Sequence, residues 1–388
     1  MIHLIQRIFQ VVAICGCFSS SVYYLLCLWS TRGFLRGRKA GGGAGPTQTL
    51  PAVSILKPLK GTDPYIYESF RSHCLQDYPG YEIIFGVSDP DDPAVASVQQ
   101  LQREFPERSI RLVVSPNRLG ANVKVSNLGQ MLPSARYRHL LVNDSDIRVA
   151  PDYLRRIMSP LTDERVGMVT CLYRGLPSST LGSQLESLGI STDFCPGVLV
   201  ARHLEGGLRF GLGSTLAFRR ADLERIGGFE SIVDFLADDY ELGRRIAGLG
   251  LQVVLSDVVV ETHLPAYDLH GFLEHQLRWA RGVRDSRTGG YIGLVSTYGL
   301  MWGLFALIAG RATPWSWAVL GVTVLFRLAV ALAVGSAVLE DGGLLGSLWL
   351  LPVRDLVAVL VWVASFAGHT VIWRGDRFEL KKGRLIRL

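Results

Sequence analysis

The 22 residues from Ile8 to Trp29, IFQVVAICGCFSSSVYYLLCLW, carry no charged side chain. As a helix rising 1.5 Å per residue, such a run is long enough to cross a hydrocarbon layer of about 30 Å. A cleavable secretory leader would have a shorter apolar core followed by a small-residue cleavage site, so the stretch reads as a membrane anchor over residues 1–30. Arg32, Arg36, Arg38 and Lys39 follow with no acid among them. The positive-inside rule assigns that end to the cytoplasm. Gly41–Pro46, GGGAGP, reads as a linker within 31–50.

Charged residues make up 19% of the chain, against about 25% in soluble domains, and the deficit is local. Residues 51–287 have ordinary composition, whereas Tyr291–Trp373 is apolar again. Three tail segments fit spanning: 291–310, 315–338 and 344–373, the last interrupted by Pro352, Arg354 and Asp355. The end of the chain, with Arg374, Arg377, Lys381, Lys382, Arg384 and Arg387, should stay inside, which favours an even number of tail crossings. The preferred arrangement makes 291–310 re-entrant or interfacial, with Arg311 inside and the Glu340–Asp341 turn outside. Arg327 then lies in a spanning segment, as a functional group or as half of a helix-to-helix pair. The net charge of +6 is accounted for by basic clusters facing anionic lipid, and no nucleic-acid-reading motif is present. Six cysteines without metal-type spacing read as reduced and structural, consistent with a cytosol-facing body.

Between the apolar ends, β-type runs at Val53–Leu56, Tyr81–Val87, Arg111–Val114, His139–Val142, Val166–Tyr173 and Leu251–Leu255 alternate with helical patterns such as Tyr67–Asp77 and Ala94–Phe105. That alternation predicts an α/β domain with a mostly parallel sheet, whose ligands collect at the carboxyl ends of the strands. Asp89, Asp91 and Asp92 follow the second run, and Asp144 and Asp146 follow the fourth. Two carboxylates at i and i+2 on a strand exit suit a hard divalent cation that also holds phosphates. Each cluster alone is also an ordinary capped turn; two at successive strand exits are harder to dismiss. Lys124, beside Gly120 and Asn122 at a loop-to-helix start, suits a nucleotide phosphate, with a plain surface lysine as the alternative. Asp238 and Asp239 open an amphipathic helix as caps or as a general base. Residues 271–287, GFLEHQLRWARGVRDSR, form a basic amphipathic segment suited to a membrane surface, where Arg278 and Trp279 could pair a diphosphate and pack on an acceptor.

The ordered series VSILKPLKG (53–61), SDPDDPA (88–94), NDSDIRV (143–149), DDYELGRRI (238–246) and HQLRW (275–279) resembles the ceramide glucosyltransferase family of membrane-bound inverting glycosyltransferases. It is also similar to the bacterial branch associated with hopanoid lipids. The resemblance covers about Pro51 to Arg287 and extends to the anchor and apolar tail. It implies a GT-A fold, a UDP-sugar donor, and Mg2+ or Mn2+. By the same resemblance, Asp89 or Asp92 meets uracil and ribose. Asp144 binds donor and metal, and Asp146 completes the metal site. Asp239 is the catalytic base. Arg278 and Trp279 fill the last motif, whose first position is His275 in place of Gln or Arg.

The domains expected are the GT-A domain at 51–270, an interfacial segment at 271–290, membrane segments at 291–373 and a basic tail at 374–388. The implied activity is inverting transfer of glucose or N-acetylglucosamine to the hydroxyl of a membrane lipid, ceramide or hopanoid, at the cytosolic face of what is expected to be a bacterial inner membrane. Residues 182–213, with Asp193, His203 and Glu205, are expected to wall the acceptor route. A polyprenyl-phosphate or processive transferase is the competing enzyme, and a non-catalytic lipid-binding scaffold the competing class.

Overall fold

The computed structural model describes residues 2–41, 50–373 and 375–388. Most of the Gly-rich linker and Arg374 lie outside the described residues. An anchor helix, Ile2–Gly41, leads into a sheet of eight strands, β1 Val53–Pro58, β2 Tyr81–Val87, β3 Ile110–Val114, β4 His139–Val142, β5 Ile147–Arg148, β6 Val166–Leu176, β7 Leu216–Arg219 and β8 Gln252–His263. Their order is β3-β2-β1-β4-β7-β6-β8-β5.

The first four strands pair with one another in parallel. Every residue of β1 is buried, as a strand covered on both faces by crossover helices must be. Gly86 of β2 shows how close that cover is, because a Cβ there would meet Met131 Sδ of the helix Val123–Met131 at 2.2 Å. The second half is mixed. β7 runs antiparallel to both β4 and β6, and β5 antiparallel to β8, while β6 and β8 are parallel. Parallel pairing puts the exits of β1, β2 and β4 on one edge of the sheet, and antiparallel β7 begins at that edge, since Leu216 pairs with Val142.

Among the described residues three helices are long and apolar enough to cross a membrane, His3–Lys39, Pro314–Val338 and Leu344–Ser365, and a bent pair, Thr288–Thr297 with Gly299–Ala309, makes up to four. The bent pair descends along the anchor: Gly299 N donates to Tyr24 Oη at 3.2 Å, and Gln10 Nε2 to Ala309 O at 3.0 Å. The segment Pro314–Val338 returns, ending where Arg38 pairs with Glu340 at 2.6 Å and Arg174 of β6 donates to Glu340 O at 2.6 Å. The Glu340–Asp341 turn is thus at the end of the bundle next to the eight-stranded sheet, and Arg311 at the opposite end. This reverses the placement expected from sequence. The physical reason is that Arg38 and Arg174 neutralise and bind the acidic turn, which composition alone assigns to the far side.

The helix Leu351–Ser365 lies beside the helix Leu269–Ser286, with Arg354 donating to Gln276 Oε1 at 3.1 Å and Ser365 O accepting from Arg284. The excursion to the far end and back is therefore made by 288–309 and 314–338, in place of 315–338 and 344–373. Arg327 is 5% exposed and paired, with Asp193 and with Asp355 at 2.6 Å each, so the helix-to-helix reading of this arginine holds.

The chain's last residues form an antiparallel sheet, β9 Thr370–Trp373, β10 Asp376–Lys381 and β11 Arg384–Arg387. It docks on the loop before the Asp238–Gly248 helix: Leu385 N donates to Asp234 O at 2.7 Å and Leu236 N to Gly383 O at 3.1 Å. All six cysteines are free.

Candidate active site

The register of β4 and β7 builds the centre. Continuing the antiparallel pairing past Val142 and Leu216 brings Gly213 opposite the NDSD turn, and Asp144 N donates to Gly213 O at 3.3 Å. Gly213 N in turn donates to Asp239 Oδ2 at 2.8 Å, while Asp239 Oδ1 accepts from Tyr240 N at 2.8 Å. One glycine peptide thus joins the strand-exit aspartate to the helix-start aspartate. A Cβ at Gly213 would come within 2.8 Å of Asp144 Oδ2 and 3.4 Å of Asp239 Oδ2.

Lys124 bridges the same pair of elements. Its Nζ lies 2.8 Å from Asp144 Oδ1 and 3.0 Å from Asp238 Oδ2. Burial disfavours the ammonium, but the charges of Asp144, Asp238 and Asp239 outweigh that cost and raise its pKa. The lysine is aimed by Asn122, which caps its helix by accepting from Val125 N at 3.1 Å and donates from Nδ2 to Phe235 O at 2.8 Å. Burial, then the charge of Asp238, pushes the Asp239 carboxyl up to about 6 in spite of Lys124.

Asp146 lies on the other side of the turn, its Oδ2 accepting from Thr262 Oγ1 of β8. Burial and the neighbouring Asp144 charge push its carboxyl up to about 6. Lys57, fully buried at the end of β1, donates to Asp144 O at 3.0 Å and is held down to about 7 by burial. An Asp146 carboxyl whose proton affinity is raised by the charge of Asp144 beside it, with oxygen the only ligand type on offer, fits a hard dication, which would remove the repulsion. Among the described residues no group of three or more His, Cys, Asp or Glu side chains is arranged to hold a metal. The remaining ligands would have to come from substrate phosphates and water, the usual arrangement for magnesium.

The SDPDDPA loop meets the exit of β1. Asp92 accepts from Gly61 N at 2.9 Å through Oδ2 and from Ala94 N at 2.9 Å through Oδ1. Asp89 is exposed, with Oδ1 accepting from Asp91 N at 2.9 Å. Asp92 therefore works within the loop, and Asp89 faces outward.

His275, Arg278 and Trp279 sit on the helix Leu269–Ser286, whose start is capped by Asp268 accepting from Gly271 N at 2.7 Å. His275 stacks on Tyr267 at 5.4 Å and lies 3.4 Å from Glu186 Oε1. Trp279 meets Phe194 edge-on at 5.7 Å, and Phe194 contacts Tyr173 at 5.3 Å. Tyr267 feels the charges of Glu186, Arg278, Asp146 and Asp63, which ties this helix electrostatically to the NDSD turn. Burial pushes the Glu186 carboxyl up, but His275, Arg354 and Gln276 prevail and hold it below the ordinary range. Asp193 of the expected acceptor wall belongs to the Arg327 cluster, and Glu205 pairs with Arg287 at 2.8 Å.

Sequence reasoning brought out Asp144, Asp239 and Lys124 but not Gly213, Lys57, Asn122 as an aiming residue, or Thr262. The sequence did carry one signal for Lys57, a lysine inside the short, mostly apolar run VSILKP.

The profile of glycosyl transferase family 21 matches residues 12–386. The chain belongs to that family. Ceramide glucosyltransferase 1 of Caenorhabditis elegans is 22% identical over 399 residues, covering 98% of this chain and 82% of the relative. Ceramide glucosyltransferase 3 of the same organism is 24% identical over 355 residues, covering 86% and 74%. A mannosyltransferase from Pyrobaculum calidifontis, solved with GDP-Man and Mn2+, superposes with a TM-score of 0.57 at 22% identity over 92% of this chain and 99% of its own. That likeness establishes the GT-A glycosyltransferase fold for this member of the ceramide glucosyltransferase family.

Proposed function

We propose that this family 21 enzyme transfers a hexose, glucose or N-acetylglucosamine, from a UDP-sugar to the hydroxyl of a membrane lipid by one inverting displacement at the cytosolic face. The observation that carries the reading is the Asp144–Gly213–Asp239 junction, which sets a carboxylate with proton affinity near neutrality beside the donor aspartate.

Asp239 takes the proton from the acceptor oxygen as that oxygen attacks the anomeric carbon. Its two backbone N–H bonds hold the carboxylate in place, so no reorganisation is needed at the moment of transfer. Asp144 and Asp146 would hold the divalent cation. That cation supplies electrostatic stabilisation of the charge gathering on the departing UDP. Arg278 would add a guanidinium to the same diphosphate, and Lys124 an ammonium once the donor draws it from Asp238. We assign Asp89 to the nucleoside, because Asp92 is committed to Gly61 and Ala94. The lipid acceptor is supported by the relatives' activity and by the membrane-length segment Leu344–Ser365, whose Arg354 bonds Gln276 of the helix that carries Trp279. The cytosolic face is supported by Arg32, Arg36, Arg38 and Lys39 at the catalytic end of the anchor.

The test is a panel of UDP-sugars against ceramide and a hopanoid polyol, scored by the mass of the lipid product, with Asp239→Asn alongside. That variant should lose at least about a hundredfold in rate while binding UDP-sugar normally. Appreciable turnover would remove Asp239 from the base role, and wild-type enzyme that glycosylates no lipid would sink the acceptor class.

A further inference from the structure

The basic run after the anchor does two different things. Arg38 is used by the protein, pairing with Glu340 at 2.6 Å and donating to Val338 O at 3.4 Å. Arg32, Arg36 and Lys39 project from another face, and among the described residues none of them has an acidic partner. No acid occurs between Arg32 and Thr49 that could supply one.

These three cations line a groove of about 340 Å³ together with Leu28, Thr31, Leu35 and Ala333. Positions 28, 31/32, 35/36 and 39 recur at three- and four-residue intervals, one stripe of a single helix. Ala333 comes from the segment Leu332–Val338, where the returning helix widens into a π-turn beside the anchor. The groove is thus cationic toward Lys39 and apolar toward Leu28. It also lies at the catalytic-domain end of the bundle, since Arg38 and Arg174 both meet the Glu340 turn there.

A free phosphate would satisfy the cations but leave the leucines in contact with nothing. A neutral lipid would do the reverse. We propose that the groove is a binding site for one anionic phospholipid of the leaflet on the catalytic side, its phosphate held by Arg32, Arg36 and Lys39 and an acyl chain laid along Leu28, Leu35 and Ala333. Guanidinium groups suit phosphate oxygens through paired N–H donors, and the long side chains reach the headgroup level while their stems stay in the apolar layer. Such a lipid would fill the seam between the anchor and the returning helix.

The experiment uses the full-length enzyme in neutral detergent, offered phosphatidylglycerol or phosphatidylcholine of matched chains, with retained lipid counted by native mass spectrometry. One cation near an anionic headgroup contributes about fivefold in affinity, so R32Q/R36Q/K39Q should retain phosphatidylglycerol about a hundredfold more weakly than wild type. R32K/R36K should stay within about tenfold of wild type, because charge is kept. Phosphatidylcholine should be retained weakly by both. The triple variant's melting temperature in neutral detergent should match wild type, because the three charged groups have no acidic partner among the described residues to lose. Undiminished retention of phosphatidylglycerol by the triple variant would overturn the proposal, as would equal retention of phosphatidylcholine by wild type. Displacement of the bound lipid by millimolar inorganic phosphate would reassign the groove to free anions.

Discussion

Replacing Gly213 by alanine tests the centre of the site with one carbon atom. The added Cβ would stand 2.8 Å from Asp144 Oδ2, and ordinary contact begins near 3.4 Å, so the carboxylate must retreat by about 0.6 Å. The Asp144 side chain is 41% exposed and has room to do so. Gly213 is absent from the positive-φ positions, so alanine brings no backbone strain. Losing a glycine from the unfolded chain even favours the fold by about 0.5 kcal/mol. Stability should therefore hold while geometry suffers. Misplacement by about 1 Å at a reacting centre costs on the order of a hundredfold, and 0.6 Å should cost about tenfold or more in kcat/KM. The assay is initial-rate transfer with melting temperature measured in parallel. Gly248→Ala, where a Cβ meets nothing within 4 Å, serves as the control and should be fully active. A Gly213→Ala enzyme with wild-type kcat/KM would refute the claim that Asp144 and Asp239 work across this peptide.

The Asp239 carboxyl, raised to about 6 chiefly by burial, must be ionised to accept a proton, so the rate should fall about tenfold per unit as pH drops below about 6 and level off above it. A flat pH–rate profile from about 5 to 7.5 would count against Asp239 as the base. Arg327→Met leaves Asp193 and Asp355 facing each other inside the bundle and should cost about 3–5 kcal/mol of stability. The double variant Arg327→Met/Asp355→Leu should regain most of it, since Arg354 still lies 3.3 Å from Asp193; a single variant with wild-type thermal stability would show the cluster to be dispensable. Deleting residues 374–388 removes the contacts of Gly383 and Leu385 with the 234–236 loop and of Arg384 with the Phe235 ring at 5.1 Å. The rate should drop by about tenfold with UDP affinity kept, because the loop feeds directly into Asp238 and Asp239; an undiminished rate would detach the small sheet from catalysis.

What was legible in the sequence was local. The parallel strands β1, β2 and β4 could be read because each is a short apolar run ended by a polar turn, and parallel pairing then placed both aspartate clusters on one edge. The strongly basic end of the anchor was likewise plain, with four cations in eight residues. The Glu340–Asp341 turn was misplaced because its partners, Arg38 and Arg174, lie some 300 and 165 residues away. Thr370–Trp373 was read as membrane for a related reason. A four-residue apolar strand next to an apolar helix has the same composition as more helix, and only the pairing of Val371 with Phe378 distinguishes them.

The same limit explains why Gly213 escaped notice while Asp144 and Asp239 did not. A carboxylate announces its chemistry wherever it lies, but a glycine matters only through what approaches it. Here that approach is set by β7, a four-residue strand inserted antiparallel between β4 and β6. Had β7 run parallel, its start would lie at the opposite edge of the sheet, and residue 213 would be a strand's length away from the NDSD turn. Antiparallel insertion converts a distant loop into the contact between Asp144 and Asp239. The site is therefore as much a product of strand direction as of its acids. A substitution that shifts β7 by one residue should then act like a change at Asp239 itself, because the period-2 pleat would turn the Gly213 N–H away from the carboxylate.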